Sequence, residues 1–443
     1  MNKTVKFNII GGGLAGCEAA NYIANKGYKV NLYEMKPDYY TPAHKSSNLA
    51  ELVCSNSLKS KLNTNANGLL KDEMSLLGSI ILKNARLTEI PGGKALTVDR
   101  DAFSSLITKE ISENENISVI NQKVDSIEEI LAKDEDSYVI VSSGPLTTDE
   151  LFNDLNEITG SEDLYFYDAV APSIEYEDID FTNAYLASRY DQDDSSYINC
   201  PLTKDEYHAF YNFLINAKTA QLKDFENKKV FEACMPVEVL AKRGYDALRF
   251  GPMRPVGLIN KHTNERDFAV IQLRQENKLA TIYNLVGFQT NLTFKMQDQL
   301  MSYIPALRNC KIIRYGVMHR NTYINAPNHL NKYFQLKKDK RIFFAGQITG
   351  VEGYVPSAAS GLLASINAVR EYENKEKIDF TRKTVLGALQ NHISIKPNKE
   401  YLPMNANFGI LQDLEVRMRN KQAKYEAMYK RSMDTMEELL KDI

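Results

Sequence analysis

Apolar and polar positions alternate between two rhythms along this chain. Residues 5–10 form an apolar run that stops at Gly11-Gly12-Gly13-Leu14-Ala15-Gly16 and gives way to an alanine-rich stretch of helical periodicity. Residues 29–33 repeat the strand pattern and end at Glu34, so strand, turn, helix and strand follow in order. Residues 71–82 carry apolar side chains at helical spacing, and residues 95–99 predict a strand followed by a helix from Arg100 that Asp99 caps. Residues 117–121 and 138–141 read as further strands, the second ending at Ser142-Ser143-Gly144-Pro145, where small residues let backbone approach a ligand.

From Asp163 to about Ile324 this rhythm is lost. Short alternating strands, as at 269–273 and 281–286, stand between turns bearing proline and glycine, the pattern of an inserted mixed or antiparallel unit. The first rhythm returns with a strand over 341–345, the glycine-rich turn 346–354, and an alanine- and serine-rich helix to about Arg370 with Pro356 in its first turn. Near the end, Tyr425, Tyr429, Met433, Met436 and Leu440 share one helical face, preceded by the cations Arg417, Arg419, Lys421 and Lys424. The expected architecture is α/β: a Rossmann-like dinucleotide-binding domain over residues 1–160 and 326–443, with a mixed α+β substrate-side domain inserted at 161–325.

The glycine spacing carries the first chemistry. Gly11, Gly13 and Gly16 fall on Gly-x-Gly-x-x-Gly, which serves a tight turn, a close approach of backbone to pyrophosphate, and close packing of helix on strand. Gly12, Leu14 and Ala15 complete the turn, whose pyrophosphate would sit on the unsatisfied N–H groups of the helix N-terminus. Glu34 lies about twenty residues further on, where an acid accepts hydrogen bonds from a ribose. Gly346, Gly350 and Gly353 bring a second glycine-rich turn and helix start to the same cofactor, which favours FAD held across both ends of the chain. With one such fingerprint in the sequence, a second stably bound nicotinamide is not expected, and NAD(P)H is expected to act from a transient site.

At 443 residues the chain exceeds what one hydrophobic core supports, and its 43% hydrophobic and 25% charged content is that of an ordinary globular protein. A net charge of −3 exerts no overall pull on nucleic acid, so RNA contacts have to come from local basic patches. No apolar run approaches the roughly eighteen residues of a membrane span, and a cytoplasmic location is expected. Five cysteines without Cys-x-x-Cys spacing argue against a disulfide framework and a zinc site, so no metal is expected.

Two cysteines stand in unusual surroundings. Cys54 lies in Glu51-Leu52-Val53-Cys54-Ser55-Asn56-Ser57, where Ser55 and Ser57 are suited to cap a helix and a nearby helix start would enlarge the thiolate fraction. Cys234 lies in Phe231-Glu232-Ala233-Cys234-Met235-Pro236-Val237-Glu238, with Lys242 and Arg243 following. Local sequence alone fits either an activated thiol or a small buried apolar side chain at both positions. Arg249, Arg254 and Arg274 suit an anionic ligand or a solvated face, and His319 with Arg320 suits either proton transfer or a structural role.

Taken together, Ile9 to Gly16, Tyr33-Glu34-Met35, Glu51 to Ser57, Val98-Asp99-Arg100, Cys234-Met235-Pro236, Gly287-Phe288-Gln289-Thr290, Phe344 to Tyr354 and Met404-Asn405-Ala406-Asn407-Phe408-Gly409 resemble the folate- and FAD-dependent tRNA (uracil-5-)-methyltransferases. The resemblance covers nearly the whole chain. It implies 5-methyluridine formation in the T-loop of tRNA, with 5,10-methylenetetrahydrofolate as carbon donor and FAD, recharged by NAD(P)H, as reductant. It further implies Cys234 as the nucleophile that adds to uracil C6 and Cys54 as its partner near the flavin, and a target uridine drawn out of its stack. Ala233, Ser142-Ser143, Pro356, Lys94 and Thr97 depart from the family pattern. They keep open the family's alternative target, a uridine of 23S ribosomal RNA, and an RNA-binding factor without methyl transfer.

Overall fold

The structure is a computed structural model that describes residues 5–41, 43–160, 164–191, 194–220, 235–397 and 401–443, and the backbone alone at 164–168, 319 and 320. Five parallel strands form one sheet in the order Ile342–Phe344, Tyr138–Val141, Phe7–Ile10, Val30–Glu34 and Ile117–Asn121. Phe7, Ile9, Val139, Ile140, Phe343 and Phe344 are fully buried, which is why these strands read as continuous apolar runs: a parallel sheet is covered on both faces. The N-terminal strand of the sequence and the one near residue 343 flank Tyr138–Val141, so the two ends of the chain meet in one sheet.

The helices Leu14–Asn25 and Tyr354–Tyr372 pack on each other over this sheet. Their contact is close enough that a Cβ at Gly361 would collide with the Ala15 carbonyl. The Rossmann-like α/β class read from the sequence is the observed fold.

A second sheet of six strands is antiparallel throughout, in the order Tyr185–Leu186, Tyr197–Leu202, Ala269–Gln275, Ile282–Leu285, Ser173–Glu175 and Ile312–Arg314. It has its own core, in which Tyr207, Phe210 and Phe288 are among the largest fully buried side chains. An antiparallel ribbon of Leu164–Ala169 on Met318–Tyr323 carries the chain out to this sheet and back. A small third sheet pairs Ser57–Ser60 with Ala95–Val98 and Glu89–Ile90.

Two local expectations change. The helical spacing over 71–82 belongs to two helices, Ala66–Leu76 and Ile80–Leu87, because Gly78 turns the chain at φ +73° and the Ser79 hydroxyl accepts the Leu82 N–H to start the second. Ser55 and Ser57 cap no helix. The Ser55 hydroxyl accepts the Ser57 N–H at 3.0 Å and turns the chain into the strand Ser57–Ser60. The expected cap at Asp99 is present, its carboxylate accepting the Ala102 N–H at 3.0 Å. In the C-terminal helix Lys421–Leu439 the buried line is Met428, Ser432 and Met436, with Tyr425, Tyr429 and Met433 packed half-buried beside it. Among the described residues, no helix is long and apolar enough to cross a membrane.

Candidate active site

Where the parallel strands end, the glycine turn does what its spacing demands. Gly11 sits at φ +101°, and a Cβ there would lie 2.6 Å from the Ser142 carbonyl oxygen; a Cβ at Gly16 would collide with the Gly11 carbonyl. Gly13 faces open space, and no side chain caps the helix Leu14–Asn25 that it begins. The N–H groups of the first helical turn, which have no intrahelical acceptor, therefore open on a cleft of about 1040 Å³ counted to its mouth. Its walls include Gly11 to Ala15, Glu34, Ser142 to Pro145, Gly346 and Tyr354.

Glu34 is buried on the floor of this cleft. Its carboxylate accepts the Gly12 N–H at 3.0 Å and the Lys36 N–H at 3.1 Å, which fixes its orientation at the end of the second strand. Gly346, at φ +82°, reaches the same cleft from the last strand, with room for only van der Waals contact to Ala15. Gly350 sits apart from it: a Cβ there would press on the Tyr401 hydroxyl at 2.5 Å and its ring at 2.6 Å, so this glycine accommodates packing under the loop and lines neither cleft. Gly353 begins the helix Tyr354–Tyr372 and faces the second cleft.

That second cleft, about 1280 Å³, is separated from the first by a shared wall of Val53, Pro145, Leu146, Gln347 and Tyr354. It is lined by Arg274 and Asn284 of the six-stranded sheet together with Cys54, Gln289, Asn321, Glu352 and Asn405. Cys54 is half-buried there, its Sγ 4.0 Å from the Ala169 carbonyl oxygen.

Three groups from distant parts of the chain hold the Cys54 loop. The Tyr354 hydroxyl oxygen accepts the backbone N–H of Cys54 at 2.8 Å and of Ser55 at 3.2 Å. Arg100 donates to the carbonyls of Leu52 and, at 3.3 Å, Cys54. Arg274 donates to Asn56 Oδ1 at 3.0 Å and Ser55 Oγ at 2.9 Å. Arg100 is in turn paired with Glu276 at 2.6 Å, which also receives Arg314 at 3.1 Å and the Ser173 hydroxyl at 3.1 Å. Burial pushes the Glu276 carboxyl up, but the two guanidiniums outweigh it and hold it below the usual range.

Sequence reasoning missed most of this clamp. Arg100 appeared only as part of a motif. Arg274, read as suited to an anion or a solvated face, is buried against the loop. Arg249 lies elsewhere, stacked 3.7 Å over the Phe268 ring and paired with Asp246 at 2.5 Å. Cys234 lies outside the described residues, as do the side chains of His319 and Arg320. The described chain resumes at Met235, and the Val237 N–H donates to the carbonyl of Gln289 at 2.7 Å, a residue of the second cleft.

The family model described as "Glucose inhibited division protein A" (GIDA) matches residues 6–376. Relatives from Staphylococcus aureus strains Newman and N315, each named methylenetetrahydrofolate--tRNA-(uracil-5-)-methyltransferase TrmFO, are 49% identical over 444 residues, covering 100% of this chain and 100% of theirs. The crystal structure of Aquifex aeolicus GidA (form II) superimposes with a TM-score of 0.66 at 17% identity, covering 99% of this chain and 76% of that one, a likeness of fold. The glycine turn, the thiol loop and the agreement from end to end with these relatives make the chain a member of the GIDA family and, within it, one of the TrmFO proteins.

Proposed function

We propose that this protein forms 5-methyluridine in the T-loop of tRNA, with 5,10-methylenetetrahydrofolate as the carbon donor and FAD as resident cofactor. The observation that carries this reading is the shared wall: a glycine-rich dinucleotide cleft adjoins a cleft that bears a cysteine. The full-length likeness to TrmFO proteins supports the reaction and its donor. The residues present fit FAD, because an uncapped helix N-terminus without an acid in its first turn opens on the cleft and Gly13 leaves that approach free. Gly11 to Gly16 would hold its pyrophosphate, Glu34 its ribose, and Gly346 with Gly353 the far end of the site. When bound, FAD supplies the reducing equivalents that turn the transferred one-carbon unit into a methyl group, and NAD(P)H restores them.

The remaining chemistry belongs to the chain and its substrates. Uracil C5 is a weak nucleophile. A Cys234 thiolate adding to C6 forms an S–C6 bond and moves electron density to C5, which attacks the methylene carbon of the folate. One carbon–nitrogen bond of the methylene bridge opens as C5 attacks, the second breaks as the C5 proton passes to a base, and the thiolate leaves C6 once the exocyclic carbon has been reduced. Cys54, held by Tyr354, Arg100 and Arg274, works beside this centre. Residues 161–325 act as the substrate-side domain, and extrusion of the uridine from its stack costs a few kcal/mol.

Covalent capture tests the assignment. Incubated with methylenetetrahydrofolate, the holoenzyme is expected to form a denaturation-stable adduct with 5-fluorouracil-containing tRNA, and Cys234→Ala is expected to abolish it. Undiminished capture by that variant would refute the role given to Cys234.

A further inference from the structure

Among the described residues Arg274 is one of the most buried cations, 8% exposed, on the strand Ala269–Gln275 at the wall of the second cleft. Its Nε and Nη2 are used on Asn56 and Ser55, both neutral. Among the described residues no carboxylate stands within 4 Å of it, and Nη1 donates to none of them. Glu276, two positions along, is taken up by Arg100, Arg314 and Ser173. Arg100, equally buried, shows the contrast: its charge is met at 2.6 Å.

A buried charge without a counter-ion is costly, and a guanidinium cannot shed its proton to relieve that cost. Lys71, a deeply buried cation that donates to the Ser60 and Asn67 carbonyls, can do so: burial lowers its pKa to about 7, and it lines neither cleft. Arg274 borders a cleft into which an anion can come. The planar fork matches phosphate and carboxylate oxygens, and its orientation is already fixed by two hydrogen bonds.

Resting on the proposed function, with the cysteine-bearing cleft taken as the place where its substrates meet, we propose that Arg274 binds an oxyanion of the substrates, either an RNA phosphate or a carboxylate of the folate glutamate. Through Ser55 and Asn56 the same guanidinium holds the loop of Cys54, so the anion and the thiol are set against each other by one side chain. Glu352, an acid on the cleft wall, accepts from Gln347 Nε2 at 2.6 Å.

The test compares holoenzyme with Arg274→Gln and Arg274→Lys, flavin content measured for each. Dissociation constants are read for tetrahydrofolate, for tetrahydropteroate, which lacks the glutamate, and for an unmodified tRNA transcript over a salt series. A charged hydrogen bond of about 1.5–3 kcal/mol predicts a roughly ten- to hundredfold loss for one ligand in Arg274→Gln, with a smaller loss in Arg274→Lys. If the anion is the glutamate, tetrahydrofolate weakens and tetrahydropteroate does not. If it is a phosphate, tRNA weakens and the slope of log Kd on log salt falls by roughly 0.7–0.9. Should the Gln variant lose flavin, the Lys variant decides, with a loss of about tenfold for one ligand supporting the proposal. Affinities for both ligands within about twofold of the parent overturn it while leaving the proposed function intact. A parent enzyme that binds neither ligand overturns both.

Discussion

The hydroxyl oxygen of Tyr354 accepts two consecutive backbone N–H groups, from Cys54 at 2.8 Å and Ser55 at 3.2 Å. Tyr354 opens the helix that returns the chain to the dinucleotide cleft and stands in the wall shared with the thiol cleft. Burial pushes its phenol pKa up, so the hydroxyl stays neutral through the working range. Removing the oxygen leaves two donors without their acceptor. Tyr354→Phe is expected to keep its flavin, lose about 1–3 kcal/mol of unfolding free energy, and methylate at least about tenfold more slowly. Denaturant titration with flavin quantitation checks this; an unchanged rate would show that the loop does not need the tyrosine.

The two ends of the glycine turn separate folding from binding. A Cβ at Gly16 collides with the Gly11 carbonyl, whereas a Cβ at Gly13 meets nothing within 4 Å. Gly16→Ala is therefore expected to yield little soluble protein, and Gly13→Ala a folded protein with reduced flavin occupancy. Circular dichroism and flavin absorbance distinguish the two outcomes.

Glu276 joins Arg100, at the start of the helix Arg100–Ser112, to Arg314 of the six-stranded sheet. Glu276→Gln leaves the buried Arg100 without its counter-ion, so a loss of about 3–5 kcal/mol is expected on unfolding. A loss under about 1 kcal/mol would mean that the carbonyls of Leu52 and Cys54 suffice for that guanidinium.

A pH dependence follows from Glu73, which is fully buried and accepts from the Val385 and Leu386 N–H groups and the Ser432 hydroxyl. Burial raises its pKa from 4.5 to about 7. Above pH 7 both folded and unfolded states are ionised and the buried charge costs in full; as pH falls from 7 toward 4.5 only the folded state takes up the proton, so stability rises. His392, lowered by burial from 6.5 to about 4, works the other way: its contribution is complete above pH 6.5 and is lost as pH falls. The Tm difference between the parent and Glu73→Gln removes the histidine's part. It is expected to move in the parent's favour as pH is lowered from 7.5 to about 5, and a flat difference would contradict the shift.

Much of the scaffold was legible in the sequence because its causes are local. The strands Ile117–Asn121 and Tyr138–Val141 stand where apolar runs end at turn residues, and the Asp99 cap sits one residue before its helix. The clamp on Cys54 was not legible, since its partners are far apart in the chain: Tyr354 is 300 positions from Cys54, and Glu276 is 176 from Arg100. Arg274 was legible only in part for the same reason. A cation beside a turn reads as suited to an anion or as solvated, and only the sheet that buries it argues against the second. Gly350 misled because its positive φ serves the Tyr401 contact, while its spacing resembles that of Gly346 and Gly353, which face the clefts.

Methyl transfer itself is tested most directly by the modified nucleoside. Holoenzyme given deuterated 5,10-methylenetetrahydrofolate, NADPH and an unmodified tRNA transcript, with 23S ribosomal RNA in parallel, is digested to nucleosides and read by mass spectrometry. Label in 5-methyluridine from the tRNA, absent with Cys234→Ala, is the predicted result. No labelled 5-methyluridine from tRNA, with or without product on the ribosomal RNA, would contradict the account.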